Sequence, residues 1–223
     1  MSAKGAGVPA PPGYRIRQEL MDAERLARAL ARIAREIVER PHHAEGLVLV
    51  GVRTRGVPLA RRLALLVGDA GLPPPPVGAL DITLYRDDLT TVAPQPVLRG
   101  TEIPVSIDGR TVVLVDDVLY TGRTVRAALD EIIDFGRPAR VKLAVLVDRG
   151  HRELPIRADY AGQTITTTRD EIVQVLLSEE DRQDRVLLLE KEPARPRPAA
   201  GPRARPSARP AARRPKGKRG RRA

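Results

Sequence analysis

The chain has 223 residues, of which 42% are apolar and only 2% aromatic, so one domain with an aliphatic core is expected. The absence of cysteine excludes disulfide bonds, thiolate metal sites and cysteine nucleophiles. No apolar run approaches the roughly 20 residues of a membrane span, and the N-terminus lacks a signal-peptide pattern. We therefore expect a soluble, cytoplasmic protein without a membrane partner.

The positive charge is concentrated at the C-terminal end. The formal net charge is +11, but residues 193–223, called the tail below, hold 12 of the 39 basic residues and no acidic one. The remaining 192 residues carry 27 basic and 28 acidic side chains and sum to −1. The overall charge is therefore no guide to the function of the rest of the chain.

Both ends of the chain are predicted to be disordered. Residues 1–13 are rich in small residues and proline, and the tail contains seven prolines and no aromatic residue. The tail could attract nucleic acid non-specifically by counterion release, or it could be a solubilising appendage, and both interpretations remain open. Residues 14–192 are predicted to form the folded domain.

Helices and strands alternate along this domain. The apolar pattern predicts, in chain order, a helix over 19–40, a strand over 46–52, a helix over 57–67, strands over 77–85 and 111–115, a helix over 124–134, and strands over 141–147, 172–177 and 186–189. This order is typical of an α/β fold with a mostly parallel sheet covered by helices on both faces.

Three polar segments follow predicted buried strands. They are residues 53–56 (RTRG), 116–124 (DDVLYTGRT) and 148–154 (DRGHREL). Ligands bind at the carboxyl ends of parallel strands, so we expect these segments to converge on one edge of the sheet. The long polar stretch over 86–109 is predicted to be a lid or arm.

The second of these segments combines an anion-binding loop with two carboxylates. Residues 121–124, called the anion cradle below, lead into a helix, where backbone N–H groups and the helix dipole favour a phosphate. Asp116 and Asp117 make sense beside this cradle, accepting hydrogen bonds from sugar hydroxyls or holding hydrated Mg²⁺. A phosphate with a diol nearby describes a ribose 5-phosphate. The alternative is that the two aspartates merely cap the helix.

Residues 112–124 (VVLVDDVLYTGRT) closely resemble the phosphoribosyl-pyrophosphate (PRPP) signature of type I phosphoribosyltransferases. LVGVRTRGVPLARRL, DITLYRDDL, DDVLYTGRTVRAALD and LAVLVDRGHRELPIRADY resemble, in the same order, the blocks of the PyrR-type bifunctional pyrimidine-operon regulators and uracil phosphoribosyltransferases. The resemblance extends over about residues 19–190. It implies a type I phosphoribosyltransferase fold, with a central mostly parallel sheet flanked by helices, a small hood and a flexible arm.

The function implied by this resemblance is Mg²⁺-dependent transfer of the phosphoribosyl group of PRPP to uracil, giving UMP and diphosphate. A second activity is implied as well, the regulation of pyrimidine genes by uridine-nucleotide-dependent binding of leader mRNA, with UMP or UTP as the signal. The alternatives are a non-catalytic UMP- or UTP-sensing RNA-binding regulator and a phosphoribosyltransferase for another base. Assembly into a homo-oligomer is also implied.

The resemblance also implies roles for individual residues. Asp116 and Asp117 would bind the ribose hydroxyls, and Arg55 and Arg86 would complete the catalytic set, Arg86 from the mobile arm. The residues implied to bind PRPP or UMP are Thr54, Arg55, Gly56, Arg86, Asp116, Asp117, Val118, Leu119, Tyr120, Thr121, Gly122, Arg123, Thr124, Arg149 and Val173. No protein side chain is expected to bind the metal, because Mg²⁺ would be held mainly through PRPP. No general base is identified.

A candidate RNA-binding surface lies on the first predicted helix. Its basic face, opposite the leucine stripe, holds Arg25, Arg28, Arg32 and Arg35. The alternative is an ordinary solvated face, because Glu24–Arg28, Arg32–Glu36 and Arg35–Glu39 are all spaced as i,i+4 ion pairs.

By resemblance the RNA-binding candidates are Arg32, Arg35, Thr54, Arg152 and Arg157. Ala31 and Arg35 stand where the family usually has Thr and His, and Gln163 where it usually has Lys. The implied RNA surface is therefore partly altered, whereas the blocks implied for catalysis are intact.

Overall fold

The computed structural model describes residues 10–40, 46–82 and 100–192. Within them two sheets and four helices form an α/β domain, which confirms the predicted fold class. The elements are, in chain order, β1 Tyr14–Met21, α1 Ala23–Glu39, β2 Leu47–Val52, α2 Gly56–Asp69, β3 Val77–Leu80, β4 Thr111–Leu119, α3 Arg123–Phe135, β5 Arg140–Asp148, β6 Tyr160–Thr164, β7 Ile172–Leu176, α4 Ser178–Asp181 and β8 Arg185–Lys191.

The larger sheet is parallel and has the strand order β3-β2-β4-β5-β6. Every residue of β2 is buried, because helices cover both faces of the sheet. Along β4, Val113 and Val115 pack with the residues of α1 and α2, whereas Val112 and Leu114 pack with those of α3. This alternation is the two-residue period of a strand, and it places β4 at the centre of both cores.

The smaller sheet, called the hood sheet below, is antiparallel with the order β1-β8-β7. Its residues Val173, Val175 and Leu188 belong to the same core as the buried stripe of α1 and the apolar face of α2. The hood sheet is thus joined to the parallel sheet through the shared helix layer. None of the helices in the described ranges is long and apolar enough to cross a membrane.

The predicted start of the first helix was wrong. Residues 19–21 belong to β1, and α1 begins at Ala23, where the Asp22 carboxylate accepts a hydrogen bond from the Arg25 N–H at 2.8 Å. In β1 residues 15–19 are exposed and only its last two residues, Leu20 and Met21, are buried. The N-cap aspartate was the signal that could have separated the strand from the helix.

Three further predictions need correction. Strand β3 ends at Leu80, so residues 81–82 are not part of it, and residues 83–85 of the predicted strand lie outside the described residues. Strand β4 continues to Leu119, past the predicted end at 115. Strand β6 and helix α4 were not predicted at all, since both are short and neither has a continuous apolar run.

Some predictions concern residues that the structure does not describe or describes only in part. The tail, residues 1–9 and residues 86–99 of the predicted arm lie outside the described residues. Of the N-terminal segment predicted to be disordered, residues 10–13 are described, and Gly13 O accepts a hydrogen bond from the Glu192 N–H at 2.9 Å. The end of the predicted arm pairs with β3, because Ala79 and Glu102 exchange two backbone hydrogen bonds of 2.8 Å.

A single arginine fastens the turn between β7 and β8 to α2. The guanidinium of Arg62 donates to both carboxylate oxygens of Glu179 at 2.8 and 2.5 Å and to both of Asp184 at 3.0 and 2.8 Å. It also donates to Ser178 Oγ at 2.8 Å. The hydrogen bond from Arg62 lowers the pKa of Glu179, so this attachment depends on an ionised carboxylate.

This attachment predicts a pH dependence of stability. Because the pKa of Glu179 is lowered from its ordinary value of 4.5 in the folded state, its contribution is present above that pH and is lost as the pH falls through the folded-state pKa. When the pH is lowered from about 5 to about 3, the free energy of unfolding should fall less in Arg62→Gln than in the unmodified protein, because the variant lacks the ion pair that protonation of Glu179 breaks. Denaturant unfolding at a series of pH values measures this difference.

The matched control is Arg126→Gln, which removes an arginine whose exposed ion pair with Asp130 is expected to contribute little. Its unfolding free energy should follow that of the unmodified protein at every pH. Equal pH slopes for Arg62→Gln and the unmodified protein would contradict the assignment.

Candidate functional site

Three loops meet at the carboxyl end of the parallel sheet, as predicted. Strand β4 lies between β2 and β5, with Gly51 opposite Val115 and Asp148 opposite Leu119. The Arg149 N–H then donates to Leu119 O at 3.1 Å, which holds the segment after β5 against the end of β4. The segments after β2, β4 and β5 therefore surround one position.

Asp116 and Asp117 lie within the last part of β4. Asp116 is buried and its Oδ1 accepts a hydrogen bond from the Asp117 N–H at 2.9 Å, while Asp117 Oδ1 accepts one from the Val118 N–H at 2.8 Å. The alternative that these residues cap α3 is wrong, because the N-cap position is Gly122 and it has no side-chain cap. Burial raises the pKa of Asp117, and the nearby charge of Arg55 opposes this shift.

The anion cradle opens directly onto the N-terminus of α3. Gly122 has a left-handed φ of 94°, a conformation that glycine adopts without a steric penalty, and it lets the chain turn from β4 into α3. Thr121 O accepts hydrogen bonds from the N–H groups of Glu153 and Leu154 at 3.0 and 3.2 Å. Gly122 at the N-cap position offers no side-chain cap, and the Arg123 N–H makes only a long hydrogen bond of 3.4 Å to Thr121 Oγ1, so the first turn can receive an anion.

The loop after β2 rests directly on β4. A Cβ atom on Gly56 would lie 2.3 Å from Val115 O, and one on Gly51 would lie 2.5 Å from Gly56 O, so neither position can hold a side chain. The Arg53–Thr54 peptide bond within this loop is cis. Sequence reasoning included Gly56 in the site and missed Gly51, whose role depends on a contact between separate elements.

The side chain of Arg55 extends from this loop to α4, the short helix between β7 and β8 of the hood sheet. Its Nη2 lies 2.9 and 3.1 Å from the two carboxylate oxygens of Asp181 at the end of α4. Asp181 was not among the predicted site residues, and no local pattern marks it. Arg86, the other predicted catalytic cation, lies outside the described residues.

A buried cation lies beside the cradle. Arg149 is 5% exposed, and its guanidinium carbon lies 4.1 Å from the centroid of the Tyr120 ring. It donates to Thr167 Oγ1 at 3.2 Å and to Thr168 O at 2.9 Å, and among the described residues it has no carboxylate partner. Burial lowers the pKa of Arg149, which is the expected direction for a cation surrounded by neutral groups.

His151 completes this cluster. Its Nε2 lies 2.6 Å from Thr167 O, so Nε2 carries a proton and donates it, because a carbonyl can only accept. The imidazole meets the Tyr120 ring edge to face, with 5.8 Å between the centroids. Thr167 thus holds both Arg149 and His151, a role that sequence reasoning missed. Val173 contributes its side chain to the core beneath the hood sheet, and its role in binding PRPP or UMP stays a prediction.

The predicted RNA-binding residues fall into two groups. Arg32 and Arg152 are bonded within the protein. Arg32 donates to Ala161 O and Gly162 O at 2.7 and 2.8 Å and pairs with Glu36, while Arg152 donates to Tyr120 O at 2.7 Å and to Asp148 Oδ2 at 2.5 Å. The second group consists of Thr54, Arg35 and Arg157, which are exposed. Its two arginines form no ion pair within the described residues.

Two of the three predicted ion pairs on the surface of α1 are present, Glu24–Arg28 and Arg32–Glu36. The third, Arg35–Glu39, is not formed. Between α1 and the edge strand β6 lies a groove of about 380 Å³, called the basic groove below. It is lined by Leu20, Met21, Arg25, Arg28, Ala29, Arg32, Gly162 and Gln163.

No group of three or more potential metal ligands occurs in the described ranges 10–40, 46–82 and 100–192. Asp116 and Asp117 nevertheless supply adjacent carboxylate oxygens, the donors that Mg²⁺ prefers. This donor set suits an ion that receives most of its ligands from a bound phosphate compound.

The family model of the phosphoribosyl transferase domain matches residues 17–180. The bifunctional protein PyrR of Thermus aquaticus is 58% identical to this chain over 180 residues, which cover 81% of this chain and 99% of the relative. The bifunctional protein PyrR of Pelotomaculum thermopropionicum is 59% identical over 176 residues, which cover 79% of this chain and 97% of the relative.

Solved structures show the same fold at lower sequence identity. The HGPRT-ase of Leishmania tarentolae in complex with GMP has a TM-score of 0.61 at 20% identity, covering 79% of this chain and 98% of that chain. A hypoxanthine-guanine phosphoribosyltransferase of Bacillus anthracis has a TM-score of 0.58 at 21% identity, covering 78% of this chain and 98% of that chain.

The electrostatics of the site predict that replacing Arg55 shifts the pKa of Asp117 measurably. Burial raises the pKa of Asp117 above its ordinary value of 3.8, and Arg55 opposes that shift, so Arg55→Gln should raise the pKa of Asp117 further. A titration of the side-chain carboxyl carbons by NMR measures this value in both proteins. The control Arg126→Gln should leave it unchanged, and a fall in Arg55→Gln would contradict the described geometry.

Proposed function

The chain belongs to the PyrR family of phosphoribosyltransferases, and on that premise we propose that it transfers the phosphoribosyl group of PRPP to uracil, giving UMP and diphosphate. The observation that carries the proposal is the arrangement at the end of β4. There an uncapped helix N-terminus adjoins two carboxylates, a combination suited to a phosphate at one end of a sugar and a diol at the other.

The cradle and the aspartates would hold the ribose 5-phosphate. The N–H groups of the first turn of α3 and the hydroxyls of Thr121 and Thr124 bind the 5′-phosphate. Asp116 and Asp117 accept hydrogen bonds from the ribose 2′- and 3′-hydroxyls. Because both sites belong to one rigid strand and helix, the anomeric carbon is fixed between the loops after β2 and β5, as positional catalysis requires.

The loop of Thr54, Arg55 and Gly56 would receive the diphosphate. Glycine contacts hold this loop firmly against β4, and Arg55 brings a cation beside Asp117. Negative charge grows on the diphosphate as its bond to the anomeric carbon breaks, and Arg55 stabilises that charge. Arg86 would add a second cation by resemblance to the family.

The described residues fit Mg²⁺ bound mainly through PRPP, with Asp116 and Asp117 as the adjacent oxygen donors. When bound, Mg²⁺ neutralises charge on the diphosphate.

The segment after β5 would frame the base. Arg149 and His151 are fixed by Thr167 beside the Tyr120 ring, next to the cradle, and the remaining N–H groups of Arg149 can donate hydrogen bonds to a carbonyl oxygen of a pyrimidine. The N1–C1 bond forms as the C1–O bond to diphosphate breaks, and the N1 proton leaves with the departing groups or solvent. No side chain needs to act as a nucleophile.

A second activity, uridine-nucleotide-dependent binding of leader mRNA, has its own support. The basic groove presents Arg25 and Arg28 at the surface beside the edge strand β6, and the relatives named above are called bifunctional. Arg32 contributes chiefly by fixing α1 to β6. The groove is open and positively charged, as a surface for RNA phosphates should be.

Catalysis is tested by incubating PRPP and Mg²⁺ with a panel of bases. We expect UMP from uracil, and Asp117→Asn should lower kcat/KM by about ten- to hundredfold, because charge-assisted hydrogen bonds to the ribose are lost. The control Asp130→Asn, at an exposed ion pair, should retain full activity.

Two results would contradict this assignment. Turnover of guanine or orotate in place of uracil would identify another base as the substrate. Binding of UMP without turnover of any base would favour a nucleotide-sensing regulator.

RNA binding is tested by gel shifts of pyrimidine-operon leader RNA with and without UMP. The full chain and a chain ending at Glu192 should both bind in a UMP-dependent way. Arg25→Gln should weaken binding and reduce its salt dependence by about one charge. RNA binding that is lost when the tail is removed and that does not depend on UMP would contradict a role for the basic groove.

A further inference from the structure

The cation proposed to meet the diphosphate is already engaged by a carboxylate of the protein. Arg55 Nη2 lies 2.9 Å from Asp181 Oδ1 and 3.1 Å from Oδ2, and Arg55 Nε lies 3.3 Å from Oδ2. The two side chains are only 33% and 15% exposed, so solvent and salt screen this pair less than a surface ion pair. The loop after β2 and the hood sheet are linked by it.

Asp181 is held in place independently of Arg55. Its Oδ2 accepts a hydrogen bond from the Leu177 N–H at 3.0 Å, and its own N–H donates to Leu177 O at 2.6 Å. Helix α4, which Asp181 ends, is fastened to α2 by the contacts of Arg62 with Glu179 and Asp184. The carboxylate is thus presented to Arg55 on a fixed turn.

A carboxylate and a phosphate compete for the same face of a guanidinium. Both accept two parallel hydrogen bonds from its N–H groups, and Asp181 occupies the Nε and Nη2 side of Arg55. A diphosphate that binds Arg55 through this side must displace Asp181. The charge of the same guanidinium opposes the rise that burial causes in the pKa of Asp117, so Arg55 interacts with a ribose carboxylate as well as with Asp181 of α4.

We propose that Asp181 is an intramolecular competitor of diphosphate for Arg55. It holds the guanidinium when no diphosphate is bound and yields it when PRPP or diphosphate binds. When diphosphate leaves, the carboxylate takes its place, so Arg55 is never a partly buried cation without an anion. The consequence is weaker binding of diphosphate and faster release of this product. The inference rests on the proposed function, since it requires Arg55 to contact the diphosphate.

The test is the affinity for diphosphate, measured by calorimetry in the presence of Mg²⁺ on the full chain and its variants. Asp181→Asn keeps an oxygen for the Leu177 N–H but removes the charge, and it should bind diphosphate about tenfold more tightly than the unmodified protein. In turnover it should show a lower KM for PRPP and stronger product inhibition by diphosphate.

The matched control is Glu179→Gln. This residue lies in the same short helix but contacts Arg62 and Ser178. In the variant Arg62 keeps its contacts with Asp184, and Asp181 keeps those with Leu177 and Arg55, so a nearby charge is removed without freeing Arg55. Its affinity for diphosphate should equal that of the unmodified protein. Arg55→Gln alone should weaken diphosphate binding, and adding Asp181→Asn to it should bring no further gain, because no guanidinium remains to be released.

The outcomes separate the two proposals. If the unmodified protein forms UMP and binds diphosphate, but Asp181→Asn binds it equally or more weakly, Asp181 is not a competitor. Tighter binding in Glu179→Gln, or a gain from Asp181→Asn that persists without Arg55, would overturn the inference in the same way. If the unmodified protein binds neither PRPP nor diphosphate, the proposed function itself fails.

Discussion

The backbone of the loop after β2 lies against the end of β4 with no space for a side chain between them. A Cβ atom on Gly56 would lie 2.3 Å from Val115 O, which is far inside van der Waals contact. Because Asp116 follows Val115 directly, the loop carrying Arg55 is fixed beside the two aspartates. A cation and two carboxylates from separate parts of the chain thereby become one unit, and the geometry of the whole site depends on this contact.

The charges around that unit are only partly balanced. The negative charge of Asp117 is partly balanced by the positive charge of Arg55. Arg149, in contrast, is buried against the Tyr120 ring and neutral oxygens. The first turn of α3 has no side-chain cap. Buried polar groups without full partners are costly, and they gain most when a ligand supplies the missing atoms. A molecule with a phosphate, a diol and carbonyl oxygens supplies all of these missing atoms. One nucleotide can therefore provide partners for polar groups from three loops.

Much of the fold was predictable, because the parallel strands are continuous apolar runs and α1 has a regular apolar stripe. The loop and helix start at residues 121–124 were predictable for the same local reason, since the glycine, the threonines and the aspartates are neighbours in sequence. The last three residues of β1 were predicted as helix and the rest of the strand was not predicted, because most of its side chains face solvent, which weakens the period-two pattern. Asp181 and Thr167 could not be found, because their roles arise from contacts between distant segments.

The basic groove and the proposed nucleotide site are joined by one pair of strands. In the parallel register of β5 and β6, Gln163 lies opposite Val147 and Thr164 lies opposite Asp148, the residue before Arg149. Arg32 holds α1 to the same edge strand through Ala161 O and Gly162 O. A base that contacts Arg149 therefore lies only a few residues along the ladder from the groove. The proposed dependence of RNA binding on uridine nucleotides would be transmitted most directly through this pair of strands.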